Sequence, residues 1–368
     1  MSSTIMGSLI MLLMMLASAG IFWFVMRNHI EDRFGESKKM VLIVAGIALL
    51  IFAFVPYMAV QSYKTSKETY TEIWGGQIVK KDSEHVHCRH DYQCHCYSYT
   101  DSKGNSHQHC DTCYEHSYDV DWTSYDNIGD DWDMGKVDRQ GLIEPPAWTQ
   151  VVIGEPVAVP HTYLDYIKAS KFSILNKRAR EFDAGWPPIT YPGNIYDRWR
   201  TDRVIASGVN IPDLKEWNDD LMVLNGQEGP AHQASVIVVF TNIADRDYAD
   251  AVYERWKGAA KNDIVVFIGA PNYPTVSWTA VRAFTQSDIF QRTLESEIPK
   301  EITRPVLFAF LKNEIEHDFQ REHMKKYQYL EDDIDVPLKL YVWVYVAFVV
   351  VMFLIFFVAS RMANDNRY

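Results

Sequence analysis

Three stretches without a charged residue, Gly7–Met26, Met40–Val60 and Leu340–Ala359, bracket a polar block of nearly three hundred residues. Each is long enough to cross a bilayer, which needs roughly 20 apolar residues. The layout therefore predicts three transmembrane helices enclosing a soluble domain. Orientation follows from the basic residues, because short loops rich in Lys and Arg stay on the cytoplasmic side. Arg27, Arg33, Lys38 and Lys39 lie between the first two stretches, Arg361 and Arg367 follow the last, and none precedes the first. This places the N-terminus and residues 61–338 outside and the C-terminus inside, with Lys64, Lys67 and Lys339 opposing weakly. The first stretch lacks the basic leader of a cleaved signal, and Ala17-Ser18-Ala19 is followed by further apolar residues.

The chain carries a net charge of −12 and no basic stripe, which argues against a nucleic-acid partner. The enclosed block is acidic and rich in Tyr and Trp, and large enough to bury its own core. Its character changes along the chain, dividing the sequence into 1–60 (two spans and a cytoplasmic loop), 61–144 (a Cys/His-rich and acidic region), 145–338 (an α/β ectodomain) and 339–368 (the last span and tail).

All five cysteines and seven of the twelve histidines fall between His85 and His116. Tyr97 and Tyr99 alternate with polar residues, 101–105 supply turn chemistry, and His107 and His109 alternate on the return, so the region reads as a β-hairpin. With the turn near Lys103, Cys96 falls opposite Cys110. Two chemistries remain open. Outside the cytoplasm, bridges among Cys88, Cys94, Cys96, Cys110 and Cys113 would staple a hairpin with little core and leave one thiol over. Alternatively these cysteines, with His107 and His109, would hold zinc. The C-x2-C at Cys110–Cys113 does not open a helix after a strand, so it lacks the context of a thioredoxin-like pair.

Flanking segments are plainer. A short strand is expected around Glu72–Val79, broken by Gly75-Gly76. The acidic run Tyr118–Asp138 lacks calcium-loop spacing and reads as a solvated loop. Residues 145–230, rich in Pro, Gly and Trp, read as irregular with a helix at Tyr163–Glu181.

The clearest architecture follows. Ser235–Phe240 and Ile264–Ile268 are continuous β-branched runs, and between them Tyr248, Val252, Trp256 and Ala259 recur at helical spacing. That is a βαβ unit, expected to be parallel, covered on both faces and right-handed. Two more helices are expected, one from Ser287 carrying Phe290 and Leu294, another carrying Leu307, Leu311, Ile315 and Phe319.

The segment SVIVVFTNIADRDYADAVYERWKGAAKNDIVVFIGAP resembles the opening βαβ of a TPM domain, a family of membrane-anchored extracytoplasmic modules, over roughly residues 235–330. The resemblance implies an anchored α/β ectodomain, and acidic residues near its turns, here Asp245, Asp247 and Asp263, are associated in the family with metal binding and proposed phosphatase activity. The family's Asp-Asn-Gly turn is replaced by Asn262-Asp263-Ile264, and its Gly-Tyr-Gly segment is missing. CDTCYEHSYDVDW and VDRQGLIEPPAWTQVVIGEPV are similar to membrane proteins of large tailed bacteriophages, which implies a bacterial inner-membrane setting.

Three functions follow as expectations. The first is a non-enzymatic envelope protein that binds a protein partner or its own copies, since no phosphate-cradling glycine loop, G-x-S-x-G or H-E-x-x-H occurs. The second is a metal-dependent phosphate-ester hydrolase using Asp245, Asp247 or Asp263 near the carboxyl ends of the strands. Asp245 and Asp247 equally suit helix capping. The third is a zinc or redox sensor built on the hairpin.

Overall fold

The computed structural model describes residues 9–20, 24, 54–55, 57–173 and 186–365. The chain forms two compact units: one of Thr71–His161 and Phe182–Glu322, the other of Met1–Tyr70, Thr162–Glu181 and His323–Tyr368. In chain order the strands are β1 (Thr69–Val86), β2 (Asp91–Thr100), β3 (Ser106–Tyr114), β4 (Asp119–Asp126), β5 (Asp131–Asp133), β6 (Pro156–Leu164), β7 (Val204–Ser207), β8 (Ser235–Thr241), β9 (Asp263–Gly269) and β10 (Trp278–Ala283). The longer helices of the first unit are α1 (Leu214–His232), α2 (Asp247–Arg255), α3 (Asp288–Glu297) and α4 (Arg304–Asp318). The sheets have the orders β5-β4-β1-β6, β10-β9-β8-β7 and β2-β3.

The β-branched runs behave as their composition demands. β8 and β9 pair in parallel from Ser235↔Asp263 to Thr241↔Gly269, and every residue of both is buried. β7 extends the parallel set and β10 closes the other edge antiparallel. Strand alternation sends Val236, Val238 and Phe240 to one face, where they meet Trp217, Leu221 and Leu224 of α1 and Phe290, Leu307 and Leu311 of α3 and α4. Ile237 and Val239 point the other way, onto Tyr248, Ala249 and Val252 of α2. Burying each such side chain contributes about 1.5–3 kcal/mol. Because β7, β8 and β9 step in one direction while α1 and α2 cover opposite faces, the two crossovers have opposite hands. One of them is left-handed, against the strong rule for such connections.

Helix α1 is sandwiched. Met222 leaves its sisters to join Ile78, Val157, Val159 and Trp199 in the core of the β5-β4-β1-β6 sheet. Contact with β1 is backbone to backbone: a Cβ on Gly75 would meet the Asn225 carbonyl, and one on Gly229 would meet the Gly75 carbonyl. Gly75-Gly76 therefore does not interrupt the strand, which runs 18 residues. Polar ends are satisfied by buried amides, with Asn218 Oδ1 accepting from Val204 N at 2.7 Å and Asn225 Oδ1 from Val236 N at 2.7 Å.

Two other expectations are corrected. The acidic run is not a solvated loop but β4 and β5 with their turns, and Asp119 and Asp126 are buried. Asp126 Oδ1 accepts from the amides of Ile128, Gly129 and Asp130 at 2.9–3.0 Å, and Asp138 accepts from those of Gly141, Leu142 and Ile143, so these carboxylates close turns. Of the helix expected over Tyr163–Glu181, the described residues show Tyr166–Ala169, with β6 occupying its start, and 174–181 lie outside the described residues.

In the second unit, one helix among the described residues is long and apolar enough to span a membrane, Leu338–Ile355 within the helix Leu338–Asp365. Of the first expected span, Leu9–Gly20 and Phe24 are described, as helix, and of Met40–Val60 only 54–55 and 57–60 are described, as helix. Among the described residues one of the three expected spans is thus seen whole, and the other two lie largely outside them. Met11, Met15 and Ala19 pack against Phe348 and Met352, and the Ser18 and Tyr345 hydroxyls lie 2.7 Å apart.

Candidate functional site

The hairpin β2-β3 has almost no buried side chain, and a lone two-stranded sheet is marginal in water. Covalent bonds make up the difference. Cys94 bridges Cys113 and Cys96 bridges Cys110, closing separations of 19 and 14 residues. The Cys96–Cys110 pairing follows from the turn placed at 101–105, and the bulge between Cys94 and Tyr97 brings the second pair into range. Of the two cysteine chemistries, four sulfurs pair at bridging distance, and Cys94 and Cys113 also lie together with the His95 ring. Cys88 alone stays a thiol, and it is buried.

One face of the arm is aromatic. Tyr97 and Tyr99 are 58% and 50% exposed, and their rings meet those of His109 and His107 at 5.3 and 5.5 Å across the strands. His107 and His109 thus sit beside tyrosines and away from the thiol Cys88. His107 Nε2 lies 3.0 Å from Asp101 Oδ2, and Asp101 also accepts from the amides of Lys103 and Asn105. These contacts, the His107 hydrogen bond foremost, hold the Asp101 carboxyl down to about 2.

At the base of the arm, Cys88 Sγ lies 3.7 Å from His116 Nδ1, which in turn lies 3.5 Å from Asp119 Oδ1. Asp119 is wholly buried, and its second oxygen accepts from Arg89 N at 3.2 Å and Lys136 Nζ at 3.4 Å. Burial pushes this carboxyl upward, but those donors outweigh it and hold it below the usual carboxylate range. His116 and Asp119 went unnoticed as site residues in the sequence because they reach Cys88 only through the β1–β4 register, whose last pair is Val86↔Asp119.

The three acidic candidates do not converge. Asp245 Oδ1 accepts from Asp247 N at 3.0 Å, and Asp247 is an acidic first-turn residue of α2, whose N-cap is Arg246 without a side-chain cap. Asp263 begins β9, at the opposite end of the parallel strands from Asp245, which corrects its expected place at a carboxyl end. There it is buried against Arg203 Nη1 at 2.7 Å and accepts from Tyr191 Oη at 2.6 Å and Ala260 N at 2.7 Å. Burial and the Asp263 charge push the Tyr191 phenol far upward, whereas at Arg203 burial pulls downward but Asp263 and Tyr191 together outweigh it and keep the guanidinium charged. A shallow cleft of about 500 Å³ opens beside Arg246, Trp278, Thr279, Arg292, Glu295 and Lys300. Arg246 is spent there on Glu295 at 2.6 Å and on the Thr279 carbonyl at 2.9 Å.

No family model, characterised protein or solved structure matches the chain.

Proposed function

We propose that this chain is a membrane-anchored, non-enzymatic binding protein whose stapled hairpin is the recognition arm for a protein partner in a bacterial envelope. The single supporting observation is the arm itself: exposed tyrosines on a two-stranded sheet whose order comes from two disulfides. Tyrosine gives a partner large contact area at low entropic cost, and a cross-linked scaffold reduces that cost further. Disulfides persist in oxidising compartments, which supports placing the arm outside the cytoplasm, with Leu338–Ile355 as its anchor. The dispersal of Asp245, Asp247 and Asp263 among structural duties speaks for binding over phosphate-ester hydrolysis.

A photo-crosslinking residue placed at Tyr97 or Tyr99 of the full-length protein in its native membrane tests the reading. Discrete protein adducts at those positions, and none at the exposed control Leu142, are expected. An adduct of twice the chain mass would identify the partner as a second copy. Equal labelling at all three positions contradicts the reading.

A further inference from the structure

We propose that Cys88, His116 and Asp119 bind a divalent transition metal, zinc by the chemistry of the set, at the base of the arm and independently of what the arm recognises. The topology brings the ligands together. Val86↔Asp119 is the last pair of the β1–β4 ladder, Cys88 follows where the chain departs into β2, and His116 stands where it returns from β3. A metal there clamps the root of the hairpin, beyond both disulfides.

The spacing is close to that of a tetrahedral set. Metal bonds of about 2.3 Å to sulfur, about 2.0 Å to imidazole and about 2.1 Å to carboxylate, set at tetrahedral angles, put neighbouring ligand atoms roughly 3.3–3.6 Å apart. The Sγ···Nδ1 and Nδ1···Oδ1 distances are 3.7 and 3.5 Å, and all three atoms lie within 4.8 Å of one another. An independent observation points into the same space: Asp119 Oδ1 is fully buried with no hydrogen bond of ordinary geometry, only His116 Nδ1 at 3.5 Å and the Cys88 thiol standing beside the carboxylate, whereas Oδ2 is satisfied. A buried carboxylate oxygen without a partner is costly, and a cation is the partner the surrounding donors fit.

Charge and geometry narrow the chemistry. A thiolate and a carboxylate balance a dication, while Lys136 is offset by Asp121 at 3.1 Å. The sulfur, nitrogen and oxygen set suits zinc over magnesium or calcium. Thiol catalysis is the weaker fit, because a nucleophile–base relay uses both imidazole nitrogens and here Nδ1 faces Cys88 and Asp119 alike. Cys88 is also 1% exposed, closed to a substrate. Three protein ligands leave the fourth position to water. His90 lies nearby, with Nε2 4.0 Å from Asp119 Oδ2 and 3.0 Å from the Arg139 carbonyl.

The test uses untagged full-length protein in detergent, stripped with a chelator and given Zn(II) alone or Co(II) alone. About one zinc per chain should be retained, and Co(II) should show a thiolate charge-transfer band with tetrahedral visible bands. Cys88→Ser should abolish the charge-transfer band, and Asp119→Asn should weaken binding by at least about tenfold. His107→Gln combined with His109→Gln should change neither, which separates the site from the histidines of the arm. In wild-type protein the buried Cys88 is alkylated only through local opening of the hairpin root, and Zn(II) should slow that reaction by at least about tenfold, a readout that needs no variant to fold. A Co(II) complex without the thiolate band, binding lost with the His107/His109 double variant, or Cys88 alkylation indifferent to Zn(II) would each overturn the proposal.

Discussion

Asp263→Asn separates a structural carboxylate from a catalytic one. The substitution leaves the Arg203 guanidinium, 1% exposed, without its counter-charge at 2.7 Å, and disturbs the acceptor that holds Tyr191 and Ala260. At an effective dielectric of about 20, the lost attraction is roughly 6 kcal/mol before compensation. Breaking a buried pair by removing one partner costs about 3–5 kcal/mol in practice. Domains of roughly 150–250 residues lose about 2–4 °C per kcal/mol, so the melting temperature should fall by roughly 6–20 °C. Thermal unfolding of the detergent-solubilised protein, followed by circular dichroism, measures this. Pairing Asp263→Leu with Arg203→Met should return much of the loss, since apolar replacement of a buried pair is often neutral. A shift under about 1 °C for Asp263→Asn would refute the assignment.

Replacing Cys96 and Cys110 with Ser removes a bridge whose loop of about 15 residues contributes roughly 3 kcal/mol. Amide exchange in β2 and β3 should accelerate by about a hundredfold while β8 and β9 are unchanged, and a uniform change across both sheets would contradict a self-contained arm. Asp101 is held at about 2 in the folded turn against an ordinary 3.8. Its contribution to turn stability is therefore fully present above 3.8 and is lost as pH falls through about 2. Carboxyl NMR titration should show that midpoint, and His107→Gln should raise it; a midpoint near 3.8 in the wild type would contradict the contact. Gly229→Ala drives a methyl into the Gly75 carbonyl, an overpacking cost of about 1–3 kcal/mol against an unfolded-state gain of about 0.4–1 kcal/mol, so melting should fall by a few degrees and not rise.

What could be read from the chain was whatever local chemistry governs. Continuous Val and Ile in β8 and β9 have no stable alternative to burial on both faces, and the alternation of Tyr97, Tyr99, His107 and His109 about a polar turn sets a register that pairs Cys96 with Cys110. Helix α1 was hidden because Gly226, Gly229 and Pro230 discourage helices in isolation, whereas here the two glycines are the points where β1 touches its backbone. Its apolar residues also serve two sheets, Leu221 one way and Met222 the other, so no single stripe marks it. Asp119 looked solvated because its burial depends on a donor 30 residues away, Arg89 N, and Asp126 because its partners are backbone amides of its own turn, which side-chain composition does not mark. The Cys88, His116 and Asp119 set is likewise a product of strand register, invisible until β1 and β4 are aligned.

The oxidised arm is the claim on which the functional reading rests, and counting thiols tests it most directly. Full-length protein isolated without reductant, denatured with a chelator, alkylated and weighed intact should carry one label, on Cys88, and all five cysteines should label after reduction. Five labels before reduction would contradict the stapled arm and its placement outside the cytoplasm.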